Sequence, residues 1–351
     1  MKVFNSVELF TGAGGLALGL ESSGWHHIAL VERNEDACKT ILANKSCGNS
    51  FARNWELYPH DVKSIKYSDL KVTVDLVAGG PPCQPFSLGG KHKAYNDSRD
   101  MFPEAVRAVR ELKPRFFVFE NVKGLLRQSF STYFNYIILQ LSYPDIQKNN
   151  NENWIDHLSR LEKIHTSGRE TDLSYRVIYR LLNAAEYGVP QNRHRVFIVG
   201  FRSDLGMEWN FPKATHSYNR LLWDQWVTGE YWDEHKVSSK QMPTISTKLK
   251  EKINRLKAMY KFNPPSLKRF RTVRDAIQNL PDPHIRASDV LNHEFREGAR
   301  PYPGHTGSSY DEPSKTLKAG DHGVPGGENM IVLPSGECRY YTVRESARIQ
   351  T

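Results

Sequence analysis

Short apolar runs alternate with amphipathic stretches over the first third of the chain. The pattern predicts strands over residues 6–10, 27–31, 75–78 and 116–119, and helices over 16–23, 36–43 and 102–112. Strands that alternate with helices are typical of a parallel, doubly wound sheet, which binds its ligands at the carboxyl ends of the strands. The pattern therefore predicts an α/β fold with a site along that edge.

The alternation weakens farther along the chain. Residues 145–170 are rich in Asn and charged side chains and are predicted to form a surface insertion, followed by a helix over 175–182 and a strand over 195–199. Residues 201–335 hold four of the seven tryptophans and frequent Pro and Gly, without sustained alternation. We therefore predict two domains, 1–200 and 201–351.

The charge of the chain is positive and unevenly distributed. Lys and Arg number 48 against 39 Asp and Glu, a net charge of +9, which favours a polyanionic partner. Ten of the basic residues lie between Lys248 and Arg274, where Glu251 is the one acid. This run faces either a nucleic acid or, as is common for an isolated charge run, solvent.

Targeting signals are not recognisable in the sequence. No apolar run reaches the length of about 18 residues that a membrane-spanning helix needs. The N-terminal residues lack the apolar region of a signal peptide, so we expect a cytoplasmic protein without membrane partners. The four cysteines are too few and too scattered for a disulfide framework or a zinc site.

A glycine-rich turn follows the first predicted strand. Residues 12–17 read G-x-G-x-x-A between a strand and a helix, where glycines let the backbone approach a nucleotide-like ligand. Glu32 ends the second strand, where a carboxylate can accept hydrogen bonds from two ribose hydroxyls. Asp61 is a candidate acceptor for an adenine amino group, although alone it is more typical of a turn. Together these residues predict a nucleoside cofactor without choosing among NAD, FAD and S-adenosylmethionine.

One thiol stands in a rigid loop after the predicted strand 75–78. Residues 79–87 read Gly-Gly-Pro-Pro-Cys-Gln-Pro-Phe-Ser, so Cys83 lies between prolines at the edge where a cofactor would bind. A thiol attacks as the thiolate, and its site must lower its pKa or provide a base. The other three cysteines, Cys38, Cys47 and Cys338, stand where a small hydrophobic residue suffices.

Two further polar segments adjoin the same edge. Glu120 ends the strand 116–119 and is either a general acid, if it is kept protonated, or an ion-paired or capping residue. Gln191, Arg193 and Arg195 alternate along an extended segment and so share one face. Because burying three polar side chains without partners is costly, they either face solvent or line a polar site.

In this order, the motifs resemble those of the DNA (cytosine-5) methyltransferases, and the likeness runs from residue 7 to residue 351. The segments that carry it are 9–15, 31–32, 61–62, 81–87, 97–99, 120–122, 191–195 and 339–351. The resemblance implies a Rossmann-like, S-adenosylmethionine-dependent methyltransferase domain (1–200) and a smaller target-recognition domain (201–351).

By the same resemblance the cofactor is S-adenosylmethionine, the product S-adenosylhomocysteine, and no metal is required. The cofactor contacts that it implies are Phe10, Thr11, Gly12, Ala13, Gly14, Leu16, Glu32, Arg33, Asp61, Val62, Pro82 and Met101.

The implied reaction is methylation of carbon 5 of a cytosine that is flipped out of double-stranded DNA, as part of a restriction-modification system. Cys83 would attack carbon 6, Glu120 would hydrogen-bond or protonate ring nitrogen 3, and Arg195 would hold the base and stabilise the adduct. The implied DNA contacts are Gln84, Ser87, Lys91, Arg99, Arg193, Lys268, Arg269 and Arg271.

The chain departs from the family after its last recognised motif. Members normally continue into Gly-Asn-x-Val-Pro-Pro, which the 351 residues lack. Either the sequence is truncated or a second polypeptide supplies the rest, and we expect weak cofactor binding by this chain alone. The alternatives are an incomplete subunit of a split enzyme, a DNA-binding regulatory chain inactive alone, and the transfer-RNA-methylating branch of the family.

Overall fold

The computed structural model describes residues 3–48, 51–82, 100–168, 171–261, 263–285, 289–304, 306–318 and 329–351. The chain divides into two compact units, Met1–Leu181 with Arg195–Asn210 and Leu182–His194 with Phe211–Thr351. The predicted domain boundary was a single division at residue 200, whereas the chain passes from one unit to the other after residues 181, 194 and 210. The assignment of catalytic and target-recognition roles to two domains stays a prediction.

A seven-stranded sheet organises the first unit. Its strands are β1 (Phe4–Leu9), β2 (Trp25–Val31), β3 (Leu57–Tyr58), β4 (Leu76–Gly79), β5 (Phe116–Val122), β6 (Tyr175–Asn183) and β7 (His194–Arg202). Their order is β3-β2-β1-β4-β5-β7-β6. The first five strands pair in parallel, and β7 runs antiparallel to β5. The α/β fold that the sequence predicts is confirmed.

Helices follow the strands as the apolar spacing predicts. They are α1 (Gly15–Ser22), α2 (Glu35–Ser46), α3 (Phe102–Leu112), α4 (Ser131–Ser142) and α5 (Trp154–Ser167). Phe102, Ala105, Val106 and Val109 of α3 are buried, and their spacing of three and four residues forms one helical stripe against the core. Every helix in the described ranges is too short or too polar to cross a membrane.

The strand order reverses between β1 and β4, which are neighbours in the sheet. In open α/β sheets ligands bind outside the carboxyl ends of the strands at such a reversal. The two strands approach closely there, because Leu9 pairs with Gly79 and a Cβ atom on Gly79 would lie 2.4 Å from the Leu9 carbonyl oxygen. Glycine at position 79 is therefore needed for this pairing.

Two predictions about the middle of the chain are wrong. The segment 175–182, predicted as a helix, belongs to strand β6. Its core-facing residues Tyr175, Val177 and Leu181 share the two-residue period of a strand, and pairing at the edge of the sheet decides between the two patterns. The predicted surface insertion contains helix α5, whose Leu158 and Leu161 belong to the main hydrophobic core.

The second unit consists of short elements. They are β8 (His216–Ser217), α6 (Tyr218–Trp223), α7 (Glu230–Glu234), α8 (Thr247–Tyr260), β9 (Lys268–Arg269), α9 (Val273–Ile277), β10 (Ser308–Ser309), β11 (Met330–Val332), β12 (Cys338–Tyr340) and α10 (Val343–Gln350). Tyr231 and Trp232 are fully buried in one of its apolar clusters. Arg339 and Glu345 form a buried bidentate ion pair with both N–O distances at 2.7 Å.

Candidate active site

A cavity of about 500 Å³ lies at the carboxyl ends of the central strands of the first unit. It combines an apolar wall with two acidic and two basic side chains. The residues that line it are Phe10, Val31, Glu32, Arg33, His60, Asp61, Val62, Lys63, Gly80, Pro82 and Met101. Of the twelve cofactor contacts predicted from the sequence, seven therefore lie on this cavity: Phe10, Glu32, Arg33, Asp61, Val62, Pro82 and Met101.

Four of the other five predicted contacts, Thr11, Gly12, Ala13 and Gly14, form the turn after β1, and the fifth, Leu16, lies in the first turn of α1. Gly14 has a φ of 89°, and a Cβ atom there would lie 2.7 Å from the Trp55 ring, so only glycine fits without displacement of that ring. Thr11 is buried and its hydroxyl donates to the Glu8 carbonyl oxygen. Phe10, which does line the cavity, has a φ of 56°, an unusual backbone conformation for a bulky residue and one typical of functional loops.

Backbone amides hold the Glu32 carboxylate in place. Its Oε2 accepts the Gly12 N–H at 2.7 Å, and its Oε1 accepts the N–H groups of Arg33 and Asn34 at 2.9 and 2.7 Å. Because a carboxylate offers about four acceptor positions, one remains for a ligand hydroxyl. A second hydroxyl would replace one of the backbone donors.

The second acid of the cavity, Asp61, precedes a 3-10 turn that begins at Val62. Its Oδ1 accepts the Lys63 N–H at 3.0 Å, and its Oδ2 lies 3.1 Å from Arg33 Nη1. The hydrogen bond from Lys63, assisted by Arg33, lowers the pKa of Asp61 below its usual value. Asp61 is therefore an ionised acceptor at neutral pH.

Hydrogen bonds fix the chain on both sides of residues 83–99. Pro81 accepts the Nδ2 donor of buried Asn121 at 2.9 Å, and Pro82 accepts the Met101 N–H at 3.3 Å. The predicted nucleophile Cys83 and the predicted DNA contacts Gln84, Ser87, Lys91 and Arg99 lie outside the described residues. Asn121 was not predicted as a site residue, although it stands in the Glu-Asn-Val motif.

Glu120 and Arg195 form an ion pair next to the cavity. Arg195 Nε lies 2.6 Å from Glu120 Oε1, with the two side chains 18% and 29% exposed. The antiparallel register places Glu120 opposite Phe197 and Arg195 opposite Val122, so the pair is diagonal on one face of the sheet. A Cβ atom on Gly80, which lines the cavity, would lie 3.6 Å from Glu120 Oε2. The ion pair is thus adjacent to the carboxyl end of β4.

The second unit carries the remaining predicted DNA contacts. Lys268 and Arg271 are exposed, and Arg193 lies in the segment that leads into β7. His216 is half-buried, and burial lowers its pKa with help from the positive charges of Lys268, Arg271 and Arg269. Helix α8 adds Lys248, Lys250, Arg255 and Lys257 as exposed basic side chains.

Arg269 differs from its neighbours because its guanidinium is already bound within the unit. It donates to both Asp275 oxygens at 2.7 and 3.0 Å and to Glu234 at 2.9 Å, and it lies over the Tyr231 ring. Glu234, His235 and Asp275 have ligand atoms within 4.8 Å of one another, a spacing that a metal ion would also accept. Arg269 already pairs with both carboxylates, so the arrangement is that of an internal ion-pair network.

Four residues of the cavity were missed by sequence reasoning: Val31, His60, Lys63 and Gly80. Each adjoins a predicted contact or motif in the chain, which is the one signal that points to them. Residues before and after a loop motif reach the same cavity when strands end side by side.

Comparisons with known proteins identify the family of this chain. The family profile of C-5 cytosine-specific DNA methylases matches residues 4–144 and 149–351. The chain is 31% identical to the Type II methyltransferase M.PspPI of Psychrobacter sp. strain TA137 and 32% identical to the Type II methyltransferase M.Eco47II of Escherichia coli. Each alignment covers all of this chain and 71% of the relative. These relatives give no support to the expectation of a second polypeptide.

A solved structure supports the fold alone. The S. pombe Dnmt2 methyltransferase is similar to this chain with a TM-score of 0.50 at 14% sequence identity, over 99% of this chain and 86% of that one.

Proposed function

The chain belongs to the family of C-5 cytosine-specific DNA methylases, and we propose that it transfers a methyl group from S-adenosylmethionine to carbon 5 of a cytosine flipped out of double-stranded DNA. The relatives that match over its whole length are Type II methyltransferases, which favours the modification partner of a restriction system. The observation that carries the proposal is the Glu120–Arg195 pair beside a cavity with adenosine-compatible acids.

The residues of the cavity fit the cofactor that the family implies. Glu32 offers a carboxylate acceptor for a ribose hydroxyl, and the ionised Asp61 offers one for an adenine amino group. Val62 begins a 3-10 turn, so its N–H has no partner within that turn and suits a ring nitrogen acceptor. Phe10, Pro82 and Met101 supply apolar contact area. When bound, S-adenosylmethionine supplies an electrophilic methyl group.

Cys83 is the proposed nucleophile. Its thiolate attacks carbon 6 of the cytosine, forming a carbon–sulfur bond and making carbon 5 nucleophilic. After carbon 5 has gained the methyl group, loss of its proton breaks the carbon–sulfur bond and restores the aromatic ring. The base must leave the helix for this attack, since a stacked cytosine is out of reach of a thiol in a pocket.

The ion pair is proposed to orient the base. A hydrogen bond between Glu120 and the nitrogen-3 edge of the cytosine polarises the ring toward attack at carbon 6. Arg195 fixes the carboxylate at 2.6 Å, and its guanidinium carries further N–H donors that suit the base carbonyl. Both groups therefore act on the ring while Cys83 attacks it.

DNA is proposed to contact basic residues of the second unit, of which Lys268 and Arg271 are exposed and Arg193 is partly exposed. Lys268, Arg271 and Arg193 are the candidates for phosphate contacts, whereas Arg269 has a structural role because Asp275 and Glu234 occupy its donors. The roles of Gln84, Ser87, Lys91 and Arg99 as DNA contacts remain proposals from the family resemblance.

Methyl transfer to two nucleic acids tests the proposed function. The protein is incubated with tritiated S-adenosylmethionine and either duplex DNA of mixed sequence or total transfer RNA, and the methylated nucleoside is identified after digestion. We expect 5-methyldeoxycytidine from duplex DNA and no comparable transfer to RNA. Equal or greater transfer to RNA would favour the transfer-RNA branch, and DNA binding without transfer to either would favour a regulatory chain.

A further inference from the structure

The chain leaves the sheet at the end of β6 and returns to it at the start of β7. Residues 183–185 of the outgoing chain and 192–193 of the returning chain are hydrogen-bonded to each other and form a neck. Strand β6 ends at Asn183 and β7 begins at His194, and the two strands are neighbours in the sheet. Between them, residues 184–192 pack with the second unit, which also contains Phe211–Thr351. The returning chain reaches Arg195 immediately after the neck.

Asn183 closes this neck with one buried side chain. Its Oδ1 accepts the Arg193 N–H at 3.0 Å and the Ala185 N–H at 3.3 Å, and its Nδ2 donates to Asn192 Oδ1 at 3.0 Å. The Ala184 N–H also donates to the Arg193 carbonyl oxygen at 3.0 Å. Asn183 is 8% exposed, so water competes little for these bonds. One carboxamide therefore sets the separation of the outgoing and returning chains.

Residues 190–192, just before β7, are also hydrogen-bonded to residues 314–316. The Asn192 N–H donates to the Ser314 carbonyl oxygen at 2.8 Å, the Ser314 N–H donates to the Pro190 carbonyl oxygen at 2.9 Å, and the Thr316 hydroxyl donates to the Asn192 carbonyl oxygen at 2.6 Å. Asn192 thus connects the neck, through Asn183, with residues 314–316.

Gln191 shows that this segment is not arranged for stability alone. Its side chain is fully buried, and within the described part of the chain neither its amide oxygen nor its nitrogen has a hydrogen-bond partner. A buried polar group without a hydrogen-bond partner destabilises the fold. Local costs of this kind are typical of segments whose position serves function.

The geometry points to Asn183 as a positioning residue for Arg195, a role that rests on the proposed function. Asn183 holds the backbone of Arg193, two residues before Arg195, while the Asn192–Ser314 and Asn192–Thr316 bonds hold the same segment from the second unit. Release of the neck changes where β7 starts and therefore where the Arg195 guanidinium meets Glu120. Because the bond between Arg195 and Glu120 measures 2.6 Å, a displacement of about 1 Å is enough to break it.

Kinetics of three Asn variants on duplex DNA test this role. Asn183→Ala removes all three side-chain hydrogen bonds. The carboxylate of Asn183→Asp can still accept the N–H groups of Ala185 and Arg193, and it can accept the Asn192 Nδ2 once the Asn192 amide has rotated. Asn153→Ala is the matched control, since Asn153 also accepts two backbone N–H groups, those of Ile155 and Asp156, in the first unit. A fourth protein carries Arg195→Lys alone, and a fifth combines it with Asn183→Ala. Melting temperatures and affinity for S-adenosylhomocysteine are measured on each.

We expect Asn183→Ala to lower kcat about tenfold to a hundredfold, as misplacement of a catalytic group by about 1 Å can do. Cofactor-product affinity should stay within about twofold, and Asn183→Asp should retain kcat within about threefold because a charged acceptor satisfies the same donors. The double variant with Asn183→Ala and Arg195→Lys should have nearly the same kcat as Arg195→Lys alone. The effects of two substitutions are not additive when one residue acts through the other.

Three results would overturn the inference: equal kcat for Asn183→Ala and Asn153→Ala, no rescue by Asn183→Asp in a folded protein, or multiplicative losses with Arg195→Lys. An unmodified protein that methylates nothing would instead contradict the proposed function.

Discussion

Arg195 Nε lies 2.6 Å from Glu120 Oε1, across the antiparallel ladder that joins β5 to β7. The two residues are 75 positions apart in the chain, and the register of the strands brings them to one face. Both side chains are mostly buried, so the pair is less screened by solvent than a surface ion pair. This pair is the chemical centre of the proposed site.

Neutralising Glu120 should remove catalysis while leaving the fold intact. Glu120→Gln keeps the shape but can neither lose nor gain a proton, so we expect kcat to fall by about 10²–10⁴-fold, the usual contribution of a general acid or base. Glu152→Gln is the matched control, because Glu152 pairs with Arg160 at 2.7 Å on the first unit away from the cavity. Steady-state methylation of duplex DNA compares them; similar kcat values would remove Glu120 from the chemistry.

Asp61 should contribute to cofactor affinity through its charge. In Asp61→Asn the amide oxygen can still accept the Lys63 N–H, but the acceptor charge toward an adenine amino group is lost. We expect S-adenosylhomocysteine to bind about tenfold more weakly, which corresponds to about 1.4 kcal/mol. Titration calorimetry measures this, with exposed Asp69→Asn as the control for charge. Unchanged affinity in Asp61→Asn would place adenine elsewhere in the cavity.

Lys268 and Arg271 should contribute to DNA binding by neutralising phosphates. Replacing both with Ala should weaken binding and reduce the slope of log K against log salt by about 0.9 for each phosphate that is no longer neutralised. Lys39→Ala, on α2 of the first unit, is the charge-matched control. If the double variant binds with the same affinity and salt slope as the unmodified protein, the basic run faces solvent.

Arg269 should behave differently from these two neighbours. Its side chain is 17% exposed and paired with Asp275 and Glu234. Removing one partner of a buried ion pair is destabilising by about 3–5 kcal/mol. We therefore expect Arg269→Met to lower the free energy of unfolding in urea by a measurable part of that amount, while Lys268→Met does not. Equal free energies of unfolding for the two variants would mean that Arg269 has no structural role and is again a candidate for a phosphate contact.

Glu8 should make stability fall as pH rises. Burial raises the pKa of Glu8 to about 8 from an ordinary 4.5, partly offset by a hydrogen bond from the Ala17 N–H. Between these two pKa values Glu8 is protonated in the folded protein and ionised in the unfolded chain. The contribution of Glu8 to the free energy of unfolding is therefore largest below pH 4.5 and declines as the pH rises toward 8. The slope from one such group is about 1.4 kcal/mol per pH unit.

Glu8→Gln removes this dependence because the amide does not titrate. We expect the free energy of unfolding of the unmodified protein to decline relative to Glu8→Gln between about pH 5.5 and 8, and to run parallel to it above about pH 8.5. Urea unfolding at several pH values across this range measures the difference. A constant difference across the range would mean that Glu8 is ionised in the folded protein.

The residues around the cavity could be predicted from the sequence because their signals are local. The turn after β1 and Glu32 each follow a short apolar run, and the carboxyl ends of parallel strands meet at one edge. Helix α3 was predicted with the bounds it has, since Phe102, Ala105, Val106 and Val109 form an unambiguous stripe.

The features that escaped prediction depend on residues far apart in the chain. Tyr175 to Leu182 fits the spacing of a helix and of a strand, and pairing at the sheet edge decides the outcome. Arg269 was interpreted as one charge in a basic run, because pairing with Asp275, just beyond that run, and with Glu234, 35 positions away, is decided by the fold. Asn183 carried no signal at all, since its role depends on the return of the chain at Arg193.

Trapping on DNA that contains 5-fluorocytosine tests the central claim most directly. Fluorine at carbon 5 cannot leave as a proton, so after methyl transfer the carbon–sulfur bond to Cys83 should persist. With S-adenosylmethionine present, we predict a protein–DNA complex that survives denaturing electrophoresis for the unmodified protein and for Cys38→Ser, and none for Cys83→Ser. A complex that persists in Cys83→Ser, or that disappears in Cys38→Ser alone, would contradict the account.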